Sequence, residues 1–363
     1  MSPLKNVDRR WIWIGLGISM MVLRIILSYF PHLIETFYSR GLFQIYRYIS
    51  DYTISLSPVP LLYVFLLLFA GWGIFNYLKR KHKQRTYKSK ILSFFFSLSA
   101  FTGGLIFFFI LLWGFNYVRI PLEKQLNILP DPLANNELKA EFERASSMLF
   151  EIYSRYELEK NTKDYELVNL ENEMRIEVVK TLQRFGYPTP GRVRARLIKP
   201  KGLLLRISTA GVYLPWVGEC HIDAGLHPIQ IPNVMAHELA HGYGITDEGA
   251  CNFIALQTCL NADNLFYQYS GSLSYWKTVA SNYRQNFPGE YNQFKTKMPQ
   301  GILEDIRAIN ENLDKYPDIF PDGRDFFYNN YLKSQGISEG LQNYSRVILL
   351  EVAYKKAQEK NYK

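Results

Sequence analysis

The sequence predicts a membrane protein with three transmembrane helices and a separate, mainly helical (α+β) domain that contains a small sheet. Three long apolar runs predict the spans, at about residues 11–30, 58–78 and 91–118. Each run is long enough to cross roughly 30 Å of hydrocarbon as a helix. Beyond them, charged and apolar residues recur at helical spacing. A membrane domain, residues 1–119, is therefore expected to precede a second domain, residues 120–363.

The charge distribution predicts the topology and argues against nucleic-acid binding. The formal net charge is +9, yet residues 1–92 hold 13 of the 42 basic residues and only 3 of the 33 acidic ones. The connection KRKHKQRTYKSK (79–90) carries seven lysines and arginines, whereas residues 31–57 carry two. Because basic loops stay in the cytoplasm, we expect the N-terminus inside and residues 120–363 outside. This role accounts for the basic excess, so the expected partner is the lipid bilayer and not a nucleic acid.

Two segments of the membrane domain allow a second interpretation. The first span follows basic residues, as a signal peptide does, but no small-residue cleavage site comes after it. Residues 33–50, LIETFYSRGLFQIYRYIS, fit either a helix in the outer membrane interface or an ordinary structured loop. We therefore expect three spans and leave the position of residues 33–50 open.

The second domain begins with helices and then changes pattern. Residues 136–185 have the spacing of two helices. The short apolar segments RARLIKP, LLLRIST and VYLPWVG are bounded by glycine or proline and predict strands. Pro215 indicates that the last of them is an edge strand or a bulge. After Pro232 the pattern is again mostly helical. The three cysteines are expected to be small buried residues and not a disulfide framework.

The stretch NVMAHELAHGYGITDEGACNFIA, residues 233–255, carries the strongest functional signal. Pro232 can begin a helix on which His237 and His241, four residues apart, project to one side. In this H-E-x-x-H arrangement the two imidazoles bind zinc, and Glu238 takes a proton from a water held at the ion. The alternative is a core helix whose histidines are satisfied by hydrogen bonds.

A third ligand is expected close to this helix. Gly242 and Gly244 can end the helix, and Thr246 can cap a new one. Glu248 then lies in the first turn of the new helix, within reach of the same ion. Asn252 lies one turn further along the same face, where it can hydrogen-bond a ligand.

Asp247 is the alternative third ligand. Read as H-E-x-x-H-x-x-G-x-x-D, the sequence resembles the metzincin pattern with aspartate in place of the third histidine. That pattern also requires a Met-turn, and Met298 is the only methionine downstream of the motif. We therefore favour Glu248.

Further side chains are candidates for roles in catalysis. The tetrahedral intermediate needs a hydrogen-bond donor for its oxyanion, for which the candidates are Tyr269, His221 and Arg346. His221 and His227 could equally be structural, and Glu219 could be structural or could bind a substrate amine. The extended segment 212–217 could pair with a peptide strand, or it could be an ordinary sheet edge.

The order of these segments resembles an uncharacterised family of bacterial inner-membrane proteins, a domain of unknown function. The matching stretches cover nearly the whole chain: NYVRIPL (116–122), GVYLPWVGE (211–219), AHELAHGYGITDEGACNFIA (236–255), YQYSGSLS (267–274) and YSRVILL (344–350). The resemblance implies three spans, a zincin-like periplasmic domain, and a gluzincin-type site of His237, Glu238, His241 and Glu248 with Asn252 behind it. The sequence departs from the family at GYGIT and at residues 249–251, which leaves the ligands in place.

Two functions are consistent with these patterns. The first is a membrane-anchored zinc metallopeptidase that hydrolyses a peptide or protein substrate outside the cytoplasm. The alternative is a non-catalytic, membrane-anchored binding or assembly protein whose metal site is structural or vestigial. Glu238 favours the first, because a purely structural site has no need of a base.

Overall fold

The structure is a computed structural model that describes residues 8–81, 87–160, 169–319 and 346–361. The chain divides into two compact units. The first comprises Met1–Arg119 and Leu214–Glu219, and the second comprises Ile120–Tyr213 and Cys220–Lys363. The first unit thus includes a short segment from the middle of the domain predicted at residues 120–363. Part of the basic connection at 79–90 lies outside the described residues.

Helices form the described part of the first unit. They are α1 (Arg10–Leu27), a short helix (Pro31–Leu33), a π-helix (Ile34–Leu42), α2 (Phe43–Asp51), a 3₁₀ turn (Ile54–Leu56), α3 (Leu61–Lys81), α4 (Tyr87–Leu112) and a second 3₁₀ turn (Gly114–Val118). By length and composition, α1 and α4 could each cross a membrane. The α-helix in the predicted span 91–118 ends at Leu112, where the backbone tightens into the second 3₁₀ turn.

The second predicted span, 58–78, falls on α3. This helix follows the helical segment Pro31–Leu56 after a bend of 84°, so the two together form either one broken span or a re-entrant loop. Among its described residues, the first unit therefore has two helices that could span a membrane, or three if the bent pair counts as one span. Three spans and their orientation remain predictions.

Helices α1 and α4 pack closely through glycines. A Cβ atom built on Gly17 would lie 2.6 Å from the backbone oxygen of Gly103, and one on Gly103 would lie 2.4 Å from the backbone oxygen of Trp13. Such distances leave no room for a side chain. Small residues at helix contacts are typical of membrane proteins, where close backbone approach supplies much of the attraction between helices.

Gly103→Leu is therefore expected to destabilise the first unit by at least about 1–3 kcal/mol, because the added side chain must push the two backbones apart. Thermal unfolding of the full-length protein in detergent micelles measures the effect. Gly71→Leu on α3 is the matched control, since a Cβ at Gly71 meets nothing within 4 Å. Equal unfolding midpoints for the two variants would contradict the close contact.

The segment Pro31–Leu56 buries its polar side chains and exposes its apolar ones. The buried polar residues are Glu35, Ser39, Gln44, Arg47, Ser50, Asp51 and Ser55. Exposed apolar residues include Phe37, Leu42, Ile45, Ile49, Ile54 and Leu56. A helix in water has the reverse arrangement, because burying apolar surface is what stabilises it. The structure makes residues 33–50 helical, and this pattern favours lipid over water at their outer face.

Ion pairs satisfy the buried charges of this segment. Arg47 pairs with Asp51 one turn later, and both side chains are fully buried. Glu35 accepts from Arg119 at 2.8 Å and from Arg40 at 2.8 Å. Charges removed from water are costly unless they are paired and hydrogen-bonded, so these pairs hold the polar face inward.

The second unit is mainly helical with one small sheet, which confirms the coarse fold class. The α-helices in its described residues are α5 (Leu122–Leu126), α6 (Asn135–Lys160), α7 (Leu170–Arg184), α8 (Ile231–Gly242), α9 (Glu248–Asn261), α10 (Leu265–Asn286), α11 (Pro288–Lys295), α12 (Gln300–Leu313) and α13 (Arg346–Asn361). The strands are β1 (Ala195–Ile198), β2 (Gly211–Leu214) and β3 (Glu219–Asp223), in the order β1-β3-β2. Strands β1 and β3 are parallel, with Ala195 opposite Cys220.

The prediction of a strand at LLLRIST (203–209) is wrong. These residues form turns and a short 3₁₀ helix, Leu205–Ile207. The physical cause is Asp223 at the end of β3. Its buried carboxylate accepts from the backbone N–H groups of Gly202, Leu204 and Leu205 at 2.7, 2.7 and 3.1 Å. These amides are thereby gathered around one acceptor and are not presented to a neighbouring strand.

Helix α8 is central to the second unit. It packs against α7, α9 and α10, and its Leu239 and Ala240 are fully buried. Helix α9 in turn packs against α7, α10 and α13. Helices α8 and α9 also pack against each other, so the surrounding helices fix the position of the H-E-x-x-H motif on α8 relative to the start of α9.

Candidate metal centre

The turn between α8 and α9 is built by a glycine in the left-handed conformation. Gly244 has a φ of 92°, which L-residues with a Cβ rarely adopt. Its N–H donates to the carbonyl of His241 at 2.9 Å, and the N–H of Ile245 donates to the carbonyl of Ala240 at 3.1 Å. These two bonds form a Schellman motif, which ends the helix just after the second histidine.

Helix α9 begins one residue later than the sequence indicated. The capping residue is Asp247, whose Oδ1 accepts from the N–H of Ala250 at 2.6 Å, and Glu248 is the first helical residue. Thr246, expected to be the cap, precedes the capping position. The side chain of Asp247 is thus used at the helix N-terminus, and its Oδ1 also lies 3.7 Å from Nε of Arg346.

Three side chains converge between the two helices. The Nε2 atoms of His237 and His241 are 3.1 Å apart. Glu248 Oε2 lies 3.2 Å from His237 Nε2 and 3.5 Å from His241 Nε2. Among the described residues, this is the only group of three or more His, Cys, Asp or Glu with the geometry to hold a metal ion. Asp247 is not part of it.

Hydrogen bonds orient both imidazoles. His241 Nδ1 lies 2.8 Å from the carbonyl oxygen of Ile245, and His237 Nδ1 lies 2.9 Å from Asn252 Oδ1. These oxygens can only accept, so each Nδ1 must donate, and in the neutral rings each Nε2 carries a lone pair. Asn252 thus contacts His237 from α9, in a position to orient its ring.

This arrangement needs a positive charge at its centre. Two imidazole lone pairs and a carboxylate oxygen facing one another repel unless a cation lies between them. The surroundings of His241 also favour a positive charge. Burial lowers the pKa of His241, but the Cys251 and Glu248 side chains raise it by more, so this pKa lies well above its ordinary value. Burial raises the pKa of Glu248, but the two histidines outweigh it and hold that pKa below its ordinary value.

The spacing of the three ligand atoms matches a tetrahedral ion. With metal–ligand distances of 2.0–2.1 Å, two ligands of a tetrahedral site lie about 3.3–3.4 Å apart. The observed separations of 3.1, 3.2 and 3.5 Å bracket that value. His237, His241 and Glu248 therefore fit three corners of a tetrahedral centre, with the fourth corner left for another ligand.

Glu238 lies beside these three side chains, and its own carboxylate is buried. The backbone of Tyr213 hydrogen-bonds to this carboxylate, and a Cβ on Gly211 would lie 2.8 Å from Glu238 Oε1. Glu238 Oε2 has no hydrogen-bond partner among the described residues. Burial raises the pKa of Glu238, and the nearby histidines offset this only in part. A buried carboxylate with one available oxygen is suited to accept a proton.

Asn252→Ala is expected to weaken metal binding by about 10–100-fold, because His237 loses the partner that holds its ring and tautomer. Competition against a chromophoric chelator measures the dissociation constant of the metal. Asn261→Ala, near the end of the same helix, is the matched control, since Asn261 hydrogen-bonds to Gln257 and Arg184. Equal affinities in the two variants would show that the Asn252 contact does not support the site.

The candidate oxyanion donors are not part of the three-ligand group. Tyr269 donates its hydroxyl to Asp305 at 2.6 Å. Arg346 donates to Glu123 at 2.5 Å and lies against the capping aspartate of α9. His221 is fully buried on β3, opposite Arg196 of β1.

The remaining candidates have other surroundings. His227 is half-buried, and burial lowers the pKa of its ring despite the neighbouring Asp305. Glu219 accepts from the backbone N–H of Leu61 at 2.7 Å, at the start of α3. All three cysteines are buried, as expected.

Two contributions to the site were not predicted from the sequence. Gly211 allows β2 to approach Glu238, and a glycine at the start of a short apolar strand was the available signal. The carbonyl of Ile245, which orients His241, had no such signal, because a backbone group looks the same in every residue.

The structure defines a class of protein with apolar helices that could span a membrane and a helical unit carrying a His-His-Glu centre. The family model described as "Protein of unknown function (DUF3810)" matches residues 38–352, and the chain belongs to this family. No match was found among the curated proteins or among the solved structures. Family membership by itself assigns no activity to this site.

Proposed function

We propose that the protein is a zinc metallopeptidase, anchored in the bacterial inner membrane by three spans, that hydrolyses peptide bonds in the periplasm. The observation that carries the proposal is the convergence of His237, His241 and Glu248 beside the buried carboxylate of Glu238. Two imidazoles and one carboxylate in tetrahedral spacing are a donor set typical of catalytic zinc. The basic residues of the N-terminal quarter support an orientation with the N-terminus in the cytoplasm and the site in the periplasm.

In the proposed hydrolysis, three residues hold the metal and a fourth transfers the proton. When bound, zinc supplies a Lewis acid that polarises the scissile carbonyl and lowers the pKa of water. The ion would be held by His237, His241 and Glu248. Glu238 Oε2 accepts the proton of the attacking water and then delivers it to the nitrogen of the leaving amine. The water oxygen bonds to the carbonyl carbon, and the C–N bond breaks.

Strand β2 supports a peptide as the substrate. It forms one edge of the sheet, and its first residue, Gly211, lies against Glu238. An extended peptide can add to such an edge through backbone hydrogen bonds, which recognises a polypeptide without requiring a particular side chain. Pairing of this kind would bring a peptide bond next to the carboxylate that moves the proton.

A purely structural metal site is less consistent with these residues. Structural zinc is almost always enclosed by four protein ligands, whereas three residues converge in the described part of the chain. A structural site also does not require a proton acceptor such as Glu238 Oε2. The non-catalytic alternative therefore explains fewer of the observed contacts.

The test uses the purified full-length protein in lipid vesicles. We expect about one zinc ion per chain by elemental analysis, and cleavage of a randomised peptide library that stops when a chelator removes the zinc. Readdition of zinc should restore cleavage, because the ligand helices belong to a packed unit that does not depend on the ion alone. Absence of stoichiometric zinc, or cleavage that survives the chelator unchanged, would overturn the proposal.

A further inference from the structure

We infer that the substrate of this site is a polypeptide segment that emerges from the membrane and is cut close to the bilayer surface. The inference rests on the metallopeptidase function proposed above and names its substrate class. It comes from the hairpin formed by β2 and β3, whose tip is the segment Leu214–Glu219.

The tip belongs to the unit that holds the apolar helices. Trp216 donates its indole N–H to the backbone oxygen of Leu105 at 3.1 Å, and its ring lies 5.7 Å from the rings of both Phe65 and Phe109. Leu105 lies within α4, seven residues before the helix ends at Leu112. At 1.5 Å per residue, this is about 10 Å below the helix end. The tip therefore reaches below the end of a helix that could span the membrane.

Buried polar contacts fix the tip in place. Arg47 donates to the carbonyl of Gly218 at 2.7 Å, and Tyr46 donates to that of Pro215 at 3.1 Å. Gly218 has a φ of 68°, and a Cβ there would lie 2.8 Å from Ser50 Oγ. Contacts this close, one from a fully buried arginine, show that the tip is packed within the first unit.

The other end of the same strand lies at the candidate metal centre. Gly211 lies against the Glu238 side chain, and the Tyr213 backbone hydrogen-bonds to its carboxylate. Strand β2 thus begins at the proton-accepting group and leads directly into the tip. One short strand connects the chemistry with the segment packed among the apolar helices.

Chain length sets an upper limit on the distance between Gly211 and the contact that Trp216 makes with α4. From Gly211 to Trp216 the fully extended chain covers at most about 18 Å. Trp216 contacts α4 about 10 Å below its end. With the reach of the Trp216 side chain and its hydrogen bond added, the chain allows Gly211 to lie at most about 15–20 Å beyond the end of α4. The short connection therefore tethers the inferred cleavage site within a few extended residues of the membrane surface.

A polypeptide that leaves the bilayer presents its first extended residues within this distance of the membrane. Each residue adds about 3.3 Å, so a few residues beyond a spanning helix suffice to reach the edge of β2. Tethering also raises the local concentration of the segment, to the millimolar range for short linkers. A free peptide in the periplasm has neither advantage.

The test compares one probe in tethered and free form. The full-length protein is reconstituted in phospholipid vesicles with zinc bound. The probe is a randomised peptide segment, either free or joined to a polyleucine helix of about 20 residues through Gly-Ser spacers of about 4 or about 30 residues. We expect cleavage of the short-spacer probe to be at least about tenfold faster than that of the other two.

Trp216→Ala should reduce this short-spacer preference, because the tip loses its ring contacts and its hydrogen bond to α4. Trp216→Phe keeps an aromatic ring and guards against a folding defect. Trp72→Ala is the matched control, since Trp72 stacks on Phe101 within the same unit and is not part of the tip. Zinc content is measured for every variant, and it should remain at the wild-type level.

A second measurement does not depend on activity. Brominated phospholipids quench tryptophan fluorescence according to depth, and the difference between wild type and Trp216→Phe isolates Trp216. We expect Trp216 to be quenched by lipids brominated in the upper part of the acyl chain. Quenching of Trp216 by an aqueous quencher alone would overturn the inference.

The cleavage results separate the two proposals. Equal cleavage of free, short-spacer and long-spacer probes would overturn the membrane-proximal substrate and leave the peptidase standing. A zinc-loaded protein that cleaves none of the probes would overturn the proposed function, and this inference with it.

Discussion

Glu238→Gln is expected to lower peptide cleavage by about 10²–10⁴-fold while zinc remains at about one ion per chain. The substitution preserves the shape of the side chain and its carbonyl oxygen, which can still accept from the backbone of Tyr213. It removes only the ability to take a proton from water. The result expected is therefore a loss of rate without a loss of metal.

Elemental analysis and library cleavage on the same preparation measure the two quantities together. Glu177→Gln on α7 is a matched control, because that glutamate forms a surface pair with Lys180. If Glu238→Gln and Glu177→Gln cleaved at the same rate, Glu238 would have no role in proton transfer.

Glu248→Ala is expected to weaken zinc binding by more than about 100-fold, since the loss of a direct ligand should exceed the loss of a group that only orients one. Asp247→Asn is the decisive companion. Asparagine is as good a helix cap as aspartate, so α9 should still begin in the same place. We therefore expect Asp247→Asn to bind zinc with nearly wild-type affinity.

Both dissociation constants are measured by chelator competition, with circular dichroism as a check that the helices remain. The opposite result, in which Asp247→Asn loses zinc and Glu248→Ala keeps it, would assign the third position to Asp247. The structure favours Glu248 because its carboxylate faces both histidines, whereas that of Asp247 accepts from Ala250.

The local geometry of the centre was largely predictable. His237 and His241 share a face because any α-helix places residues four apart on the same side. Gly244 signals the turn because it can adopt the left-handed conformation required there. The starting residue of α9 was less certain, since Thr246 and Asp247 both carry an oxygen that can cap a helix. The choice between them depends on how the turn packs, which short-range rules do not contain.

The strands show the opposite case. LLLRIST has the composition of a strand, yet Asp223, which is distant in sequence, collects its amides into a turn. Likewise, VYLPWVG predicted one extended segment, but only Gly211–Leu214 is strand and the residues after it turn at the hairpin tip. Strand propensity depends on the neighbours that a segment meets, and these come from elsewhere in the chain.

The sequence by itself determined the apolar helices, the basic N-terminal quarter, the mainly helical second unit and the pairing of two histidines with a nearby acid. These features depend on spacing and composition within a few residues, where backbone geometry sets the outcome. Only the tertiary structure decided that Glu248 faces both histidines, that Gly211 brings a sheet edge against Glu238, and that Trp216 contacts α4. Such contacts join residues far apart in sequence, and they exist only once packing has brought those residues together.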